Sequence, residues 1–432
     1  MMLQKTFKGG VHPRGEKDLA INQPIEETNL PKQVVIPLSQ HVGAPCRPLV
    51  QKGDLVKVGQ KIGDSDKFIS APVHSSISGT VKAVEKHLVF SGQKTDSVII
   101  DSDGKQDVFD SIKPYPVLEK ISADEIIKAV REAGIVGMGG AAFPTYVKLS
   151  PPPGKKIDSI IINAAECEPY LNADYRLMLE DVFNIAYGID VIKKVLAVTK
   201  VYVGVEDNKP IAIDYLAKKL NRVEIVKLHT KYPQGGEKQI IKTILNREVP
   251  MGGLPADVGV AAFNVATCAQ IAKTLKTGFP LIERVVTVSG KHLRKPSNLK
   301  VRIGTLYKEI IEQCGGVDGE LAKVVCGGPM MGIAVPSLDV PVQKGTSGII
   351  VFTKEEIAEM VPEVCIRCGK CSQVCPMNLN PNFLADYAER GDWKKCKELG
   401  ALNCIECGCC SYICGSRRDI VQLIKLAKKK LT

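Results

Sequence analysis

The sequence predicts a multidomain α/β protein, and three patterns support that fold class. Short apolar runs separated by glycine and proline fill residues 31–100, which is typical of a small β domain. From about residue 118 to 250, strand-like and helical segments alternate, which favours a parallel sheet covered on both faces. Near the C-terminus, eight of the fifteen cysteines form two copies of one spacing, which indicates a separate metal-binding unit.

Composition restricts the class of protein before any motif is considered. A length of 432 residues suits about three domains of roughly 150 residues each. Because the chain has no run of about 18 apolar residues and no signal-peptide pattern in MMLQKTFKGG, we expect a cytoplasmic protein that does not span a membrane alone. Cytosolic thiols stay reduced, so the cysteines are expected to serve metal or redox chemistry. The net charge of +11 can attract acidic proteins, nucleotides, nucleic acid or an anionic membrane.

Residues 1–30 show no clear period and are predicted to form an extended arm, whereas residues 31–115 form the predicted β domain. The order of strands and turns in this domain resembles a biotinyl/lipoyl-type barrel-sandwich hammerhead. In lipoyl domains an Asp-Lys pair on a hairpin carries the cofactor, and Asp66 and Lys67 lie at about that place. A swinging cofactor arm is one interpretation of this pair. A solvated turn in a packing or docking module is the other.

Residues 116–282 are predicted to form the α/β domain. Ser122 and Glu125 have the spacing of a capping box and begin its first helix. Strands are expected at 157–162, 201–205 and 223–228, and helices within 174–198 and near 211–220, 237–245 and 265–275. Binding loops would lie at the carboxyl ends of these strands.

Residues 283–352 mix short strands with a helix near 306–314 and suggest a small α+β module of the ubiquitin-like, β-grasp type. A helix at 354–360 is expected to lead into the cysteine region, 353–432. That region ends in a basic helix, 419–431. The helix could bind an acidic partner or an anionic lipid, or it could be a solvated tail.

Three loops of the α/β domain carry candidate binding residues. A glycine-rich loop, 134–145, exposes backbone N–H groups that could bind phosphate, and Lys148 follows it closely. After the first strand come Asn163, Glu166 and Glu168, which could bond ribose hydroxyls or the edge of a flavin, or could cap the next helix. A third loop, 232–238, again places glycines before a helix.

The cysteine spacing is that of the bacterial run for two [4Fe–4S] clusters, in which the fourth cysteine of each run ligates the other run's cluster. The runs are Cys365-x2-Cys368-x2-Cys371-x3-Cys375-Pro376 and Cys404-x2-Cys407-x2-Cys410-x3-Cys414-Gly415. One predicted cluster therefore takes Cys365, Cys368, Cys371 and Cys414, and the other takes Cys404, Cys407, Cys410 and Cys375. A zinc site is the alternative for paired CxxC motifs, but the third and fourth cysteines of each run suit zinc poorly.

The remaining cysteines are expected to act as small apolar residues. They are Cys46, Cys268, Cys314, Cys326 and Cys396. Cys409, adjacent to Cys410, could compete for the iron, but it is predicted to be a buried thiol beside its cluster, and Cys167 is predicted to pack within its loop. Since Arg367 and Lys370 lie in the first run and Glu406 lies in the second, the cluster held mainly by the first run is predicted to have the higher potential. The alternative is that these side chains are too solvated to matter.

The loops together resemble those of the flavin subunit of respiratory complex I and its hydrogenase relatives. That family carries a GxGGAGFPT loop followed by Lys, a strand ending in NADESEP, and a YICGEE loop. The counterparts here are residues 137–145 with Lys148, 163–169 and 232–237, and a fourth match is 254–256 with 263–265. The resemblance implies non-covalent FMN and NAD(H). It places FMN contacts on Gly137, Gly139, Gly140, Lys148, Asn163, Gly235 and Asn264, and the NADH side on Phe143, Glu168 and Glu237.

Three positions depart from that family's motifs. Met138 replaces an Arg of the glycine loop, Ala165 replaces the Asp of NADESEP, and Gly236 replaces the first Glu of the Gly-Glu-Glu run. These changes put the NADH pose in doubt more than the FMN site. No general acid or base is expected, because a flavin supplies the chemistry of hydride transfer.

Over nearly the whole chain, including Phe7–Pro13 and Gln40–Pro45, the sequence resembles the C subunit of the Rnf ion-translocating ferredoxin:NAD oxidoreductase. The resemblance implies a peripheral electron-transfer subunit at the cytoplasmic face of the cell membrane. Its FMN would exchange a hydride with NAD(H), and two clusters would exchange single electrons with it. The implied partners are membrane-embedded and peripheral subunits and ferredoxin, directly or through another subunit, with no nucleic acid.

Two other functions remain open from the sequence. One is a free-standing NADH-dependent flavin and iron–sulfur reductase, for example of a corrinoid. The other is a scaffold that has kept its clusters and lost flavin.

Overall fold

The computed structural model describes residues 5–357 and 361–431. Its first part is built from strands with little helix, as the sequence predicts. The strands are β1 (Ile25–Glu27), β2 (Gln33–Pro37), β3 (Arg47–Pro48), β4 (Leu55–Val56), β5 (Lys61–Asp64), β6 (Val73–His74), β7 (Gly79–Leu88) and β8 (Lys94–Ser102). Two antiparallel sheets, β2-β8-β7-β4 and β3-β5-β6, enclose one apolar core that includes Ile36, Ile62 and Ile100.

The N-terminal arm is more structured than an extended segment. It forms a short 3-10 turn at Lys17–Leu19, and β1 pairs in parallel with a distant strand, Ser297–Arg302. A three-residue strand has too few positions to show a period. The pairing partner therefore decides its conformation.

Residues 123–277 form the α/β domain. Its elements are α1 (Ala123–Glu132), α2 (Thr145–Leu149), β9 (Ser159–Ala164), α3 (Ala173–Glu180), α4 (Val182–Leu196), β10 (Val201–Glu206), α5 (Pro210–Lys219), β11 (Glu224–Leu228), α6 (Glu237–Leu245), β12 (Val260–Asn264) and α7 (Val265–Thr277). The four strands are parallel, in the order β11-β10-β9-β12. Ile160 and Ile162 enter the core on one face of the sheet, and Ile161 enters the core on the other. The prediction of a covered parallel sheet is confirmed.

Two details of this domain differ from prediction. The single helix expected within 174–198 is two helices, because the chain leaves the helical conformation at Asp181. β9 both starts and ends two residues later than predicted, and because of the later end Asn163 lies inside the strand. The capping box at the start of α1 is present as predicted, with Ser122 and Glu125 bonded to each other's backbone N–H.

The next elements are β13 (Glu283–Ser289), β14 (Ser297–Arg302), α8 (Tyr307–Gln313), β15 (Leu321–Cys326), β16 (Ile333–Ala334) and β17 (Gly348–Thr353). The five strands and β1 form a mixed six-stranded sheet, β1-β14-β13-β17-β15-β16. We call this sheet with α8 the mixed-sheet module. The helix expected at 354–360 is only a 3-10 turn, Lys354–Glu356, followed by extended backbone at Ile357. Residues 358–360 lie outside the described part of the chain.

The C-terminal region is helical and internally repeated. Its helices are α9 (Lys370–Gln373), α10 (Pro381–Glu389), α11 (Trp393–Glu398), α12 (Cys409–Tyr412) and α13 (Ile420–Leu431). α12 begins 39 residues after α9, and α13 begins 39 residues after α10. This is also the offset between the two cysteine runs, so the repeat extends to the helices around them.

No helix within residues 5–357 and 361–431 combines the length and the apolar character needed to cross a membrane.

Candidate functional site

Two asparagines meet at the carboxyl edge of the parallel sheet. Asn163 in β9 and Asn264 at the end of β12 are register partners. The Asn163 side-chain amide donates to the carbonyl of Gly235 at 2.8 Å, and that of Asn264 donates to the Asp174 carboxylate at 2.6 Å. Asn264 Oδ1 also accepts the N–H of Ala266 and so caps α7. Two predicted FMN contacts therefore lie side by side, as parallel topology requires.

The glycine loop lies directly against this edge. The Gly137 N–H donates to the Phe143 carbonyl at 2.8 Å and closes the loop. A Cβ atom on Gly139 would lie 2.6 Å from Asn264 Nδ2, whereas a Cβ on Gly140 would meet nothing. Gly139 and Gly140 are exposed. The loop thus presents bare backbone above two amide side chains, which suits a phosphate-bearing planar ligand.

Lys148 and Glu237 come together across the loops. Lys148 Nζ donates to Glu237 Oε1 at 2.5 Å and to the Ala262 carbonyl of β12 at 3.2 Å. Both side chains are only partly buried. The pair therefore places one charge of each sign at the mouth of the same edge.

The third loop needs glycine at position 235. A Cβ there would lie 2.4 Å from the Ala165 carbonyl oxygen. The Gly235 N–H donates to the Cys167 sulfur at 3.3 Å, and burial raises the pKa of that thiol. Cys167 thus packs within the site as a neutral thiol, in agreement with its predicted packing role.

The two acids of the loop after β9, Glu166 and Glu168, accept hydrogen bonds from backbone N–H groups. Glu166 Oε1 accepts the N–H of Asp174 in the first turn of α3, so Glu166 takes the helix-capping role that was the alternative interpretation. The carboxylate of Glu168 accepts the N–H groups of Met330 and Met331 at 3.0 and 2.8 Å, and burial raises its pKa. Glu168 therefore ties this loop to the mixed-sheet module, and its role toward NAD(H) stays a prediction, as does that of Phe143.

A group of buried ionisable residues behind the loops escaped prediction. Burial raises the pKa of Asp174 to about 7, with Glu166 as a further cause. Burial also raises the pKa of Glu206 to about 7 and lowers that of Lys209 to about 8. Lys209 Nζ lies 5.0 Å from the centre of the Tyr175 ring. The one sequence signal is that Glu206 ends a buried strand on the binding edge.

Arg284 was also missed, because it belongs to β13 in another module. Its guanidinium is buried and donates to the Met138 carbonyl of the glycine loop at 2.6 Å. No local pattern marks an arginine in an apolar strand as a neighbour of a loop 146 residues earlier.

The cysteines surround two cavities in the C-terminal region. Cys365, Cys368, Cys371 and Cys414 line one pocket, which we call the first cysteine cavity. Cys375, Cys404, Cys407 and Cys410 line another, the second cysteine cavity, together with Cys409. Among the described residues, no three His, Cys, Asp or Glu side chains are close enough to hold a single metal ion. Each predicted set of four is brought together, with the fourth cysteine exchanged between runs.

The backbone around both cavities is suited to the same group. Arg367 and Gly369 have φ values of 54° and 73°, and the corresponding Glu406 and Gly408 have 59° and 79°. Such left-handed residues turn successive cysteines inward toward one centre. Four thiols that share a pocket but, among the described residues, lie too far apart to hold a single ion suit an iron–sulfur cluster better than zinc.

The two cavities have different surroundings. The first lies at the surface, where Cys368 is exposed, and Arg418 on its wall donates to Asp386 and Glu389 at 2.6 Å each. The second lies against the α/β domain, where the Tyr232 hydroxyl donates to the Cys407 carbonyl at 2.7 Å. The N-terminal arm also reaches it, since the Gly10 N–H donates to the Val374 carbonyl.

Glu406 was expected to leave a negative charge near the second cluster and so lower its potential, and the structure corrects that premise. Lys428 donates to the carbonyl of Cys404 and pairs with Glu406, so the negative charge of Glu406 is locally neutralised. Lys428 belongs to α13, which packs Ile420, Val421 and Ile424 into the core. This helix is therefore a structural part of the region rather than a solvated tail, and its lipid or partner role stays a prediction.

The other cysteines lie where expected. Cys46, Cys268, Cys314, Cys326, Cys396 and Cys409 are all buried. The Cys409 thiol contacts the Tyr232 carbonyl, and Cys409 also lines the second cysteine cavity beside the four predicted ligands. Asp66 and Lys67 are exposed in a bend, and the cofactor-arm interpretation stays a prediction.

Comparison with known families finds three domains along the chain. Residues 5–105 match the RnfC barrel sandwich hybrid domain. Residues 130–273 match the Nuo51 FMN-binding domain, and residues 285–334 match the SLBB domain. The predicted β, flavin-type and α+β regions thus each overlap a known domain.

Full-length relatives are also found. The chain is 49% identical over 429 residues to the C subunit of the Na(+)-translocating ferredoxin:NAD(+) oxidoreductase complex of Acetobacterium woodii, covering 99% of this chain and 97% of that one. It is 48% identical to the proton-translocating counterpart of Clostridium ljungdahlii, covering 98% and 93%. A crystal structure of an NAD+-reducing [NiFe]-hydrogenase in the air-oxidized state matches with a TM-score of 0.50 at 18% identity, covering 63% of this chain and 54% of that chain. That last likeness shows the fold alone.

Proposed function

This chain belongs to the family of C subunits of the Rnf ion-translocating ferredoxin:NAD(+) oxidoreductases, and from that premise we propose that it links NAD(H) to one-electron carriers through FMN and two [4Fe–4S] clusters. The family makes it an NAD-linked oxidoreductase component of an assembly with several subunits. The finer assignment of cofactors and residues is our proposal.

The flavin site is proposed at the carboxyl edge of the parallel sheet. The exposed backbone of Gly139 and Gly140 and the amides of Asn163 and Asn264 would hold FMN. When bound, FMN would supply the exchange between two-electron and one-electron chemistry. Lys148 and Glu237 at the mouth would orient the nucleotide through charge and hydrogen bonds. Buried strands and the packed loops would keep water from the inner side of the site.

The clusters are proposed in the two cysteine cavities. Each cavity brings together the four cysteines of one predicted set, and four cysteine ligands are what such clusters use. The second cavity would receive electrons from the flavin side. The first, which lies at the surface, would exchange electrons with another subunit or with ferredoxin.

One observation carries this function above the others: a loop of the flavin site touches the second cysteine cavity. Tyr232 begins the loop that contains Gly235, and its hydroxyl donates to the carbonyl of Cys407. Gln239, in the helix that follows the loop, also donates to the Met377 sulfur at 3.3 Å. Cofactors in these two sites would be neighbours without any domain movement.

The coupling ion is proposed to depend on other subunits. One relative is named for Na+ and another for protons, although they are 49% and 48% identical to this chain. We further propose that the chain lies peripherally at the cytoplasmic face of the membrane, bound to membrane-embedded and peripheral subunits of its complex.

Anaerobic reduction of the purified protein by NADH tests the proposal. We expect loss of flavin absorbance together with the EPR signals of reduced clusters. Bleached flavin with oxidised clusters would break the link between the two sites. Absence of FMN from gently purified protein would instead support the scaffold, and full activity without membrane subunits would support a free-standing reductase.

A further inference from the structure

Two buried cations of the mixed-sheet module lie against the glycine loop of the α/β domain. They are Arg284 in β13 and Lys344 in the segment before β17. Only 3% of Arg284 and 1% of Lys344 is exposed. Burying a charge costs several kcal/mol unless partners compensate it, so two such residues at one loop need a reason.

Both cations bond to the glycine-loop segment. Arg284 Nη2 donates to the Met138 carbonyl at 2.6 Å, and Lys344 Nζ donates to the Gly134 carbonyl at 2.7 Å. Arg284 Nη1 donates at 2.5 Å to the backbone carbonyl of Lys344 itself. The two side chains therefore form one connected unit that grips residues four apart in the loop.

The loop is also held from its other side. The N–H of Met138 donates to the Thr267 hydroxyl at 3.0 Å, so the Met138 residue is bonded through both its N–H and its carbonyl. Its neighbours Gly137 and Gly139 have no side chains to anchor them, and glycine loses the most conformational freedom when it is ordered. The contacts at Met138 consequently fix the shape of the stretch that carries the exposed backbone.

The positive charge extends toward the proposed flavin edge. Arg284 interacts electrostatically with Asp174, whose carboxylate accepts the hydrogen bond from Asn264. Burial lowers the pKa of Arg284 to about 10, which leaves it charged at neutral pH. Arg284 Nε is buried and has no hydrogen-bond partner among the described residues.

We propose that Arg284 and Lys344 form a clamp that positions the glycine loop for FMN and makes flavin binding depend on docking of the mixed-sheet module. Both are positioning residues, since they act through the loop backbone. The inference rests on the proposed function, because it requires the flavin at this edge.

The test is an FMN titration of flavin-free protein that retains its clusters, followed by flavin fluorescence. Arg284→Met is expected to weaken FMN binding by at least about tenfold, since it removes hydrogen bonds from a charged donor. Lys344→Met should weaken it in the same direction. Arg284→Lys should restore part of the affinity, because it returns the charge and one donor.

Arg302→Met is the matched control. Arg302 lies on the neighbouring strand β14 and pairs with Glu283 at 3.5 Å, away from the loop, so its loss should leave the FMN affinity unchanged. The clamp is rejected if Arg284→Met and Lys344→Met bind FMN like the wild type, or if Arg302→Met weakens binding equally. If the wild type itself binds no FMN, the proposed function fails instead.

Iron–sulfur absorbance at the titration temperature, with EPR of samples frozen from the same titration, separates positioning from unfolding. We expect both clamp variants to keep wild-type cluster signals while they lose flavin affinity. Loss of both together in every variant would show that the two cations only stabilise the fold, and would overturn the inference.

Discussion

The two cysteine cavities have the same spacing and backbone geometry but different environments. The first lies at the surface, with Cys368 exposed and its wall charge paired in the Arg418–Asp386–Glu389 group. The second is pressed against the flavin-type loops and the N-terminal arm. A duplicated local sequence therefore yields two sites with different neighbours. We propose that the second exchanges electrons with the flavin and the first exchanges electrons with a partner.

Removing one cysteine from each cavity tests this division most strongly. Cys375→Ser should eliminate the cluster of the second cavity and, with it, reduction of the remaining cluster by NADH. Cys414→Ser should eliminate the first cluster but leave the second reducible by NADH. Iron content and EPR after NADH addition measure both effects. Equal loss of NADH-dependent cluster reduction in the two variants would contradict the assigned order.

Tyr232→Phe tests the contact between the flavin loop and the second cavity. It leaves the buried carbonyl of Cys407 without its donor, which is expected to cost about 1–3 kcal/mol in the free energy of unfolding. Cluster reduction by NADH should slow while flavin reduction keeps its rate, as measured by stopped-flow absorbance. Tyr412→Phe is the control, since Tyr412 lies in α12 of the cysteine region and its side chain is half exposed. If cluster reduction slows equally in both variants, the Tyr232–Cys407 hydrogen bond has no special role in electron transfer.

Acidic residues at the first cysteine cavity and behind the flavin loops are expected to affect the pH dependence of stability differently. At the first cavity Asp386 and Glu389 are paired with Arg418, whereas behind the flavin loops burial raises the pKa of Asp174 to about 7 from its ordinary 3.8. Between these two values the folded protein holds a proton that the unfolded chain releases. The contribution of Asp174 to stability therefore falls as pH rises from about 4 to 7.

Asp174→Asn should remove that loss. The free energy of unfolding of the variant minus that of the wild type is expected to be more favourable at pH 8 than at pH 5. The reason is that the variant no longer buries a charge at high pH. Urea unfolding at the two pH values measures this. Asp190→Asn, at an exposed site on α4, should show no such difference between the pH values. An unchanged pH profile in Asp174→Asn would refute the ionisation.

Cluster potentials provide the smallest expected effect. Arg367→Glu should lower the potential of the first cluster, and Lys428→Met that of the second, each by roughly tens of millivolts, because nearby positive charge favours the reduced cluster. Lys428 matters here because it pairs with Glu406 beside Cys404. EPR-monitored redox titrations measure both shifts. If neither variant shifts its own cluster, these charges are too solvated to set the difference between the cavities.

Local patterns predicted much of the fold. Helix α6 has the bounds that were expected, and α5 and α13 differ by about one residue. These segments carry a local pattern of apolar and polar residues, so few residues suffice to define them. The split between α3 and α4 was missed. The strand β1 was also missed, since it depends on pairing with a distant strand.

The candidate site shows the same division. The glycines, Asn163, Lys148, Asn264 and the cysteines stand in local motifs, and their roles were predicted from those motifs and the family resemblance. Their pairing across β9 and β12, and the separate surroundings of the two cavities, come from the way the strands and modules pack.

The sequence by itself was enough to propose which residues bind the cofactors, because ligand type and spacing are local properties. Only the tertiary structure decided which of these residues meet and which groups support them from behind. Arg284 and Lys344 have no motif, and Asp174 and Lys209 lie in ordinary helical or turn positions. Their burial arises where separate modules pack together, and charge in such a place depends on neighbours that are far away in the chain.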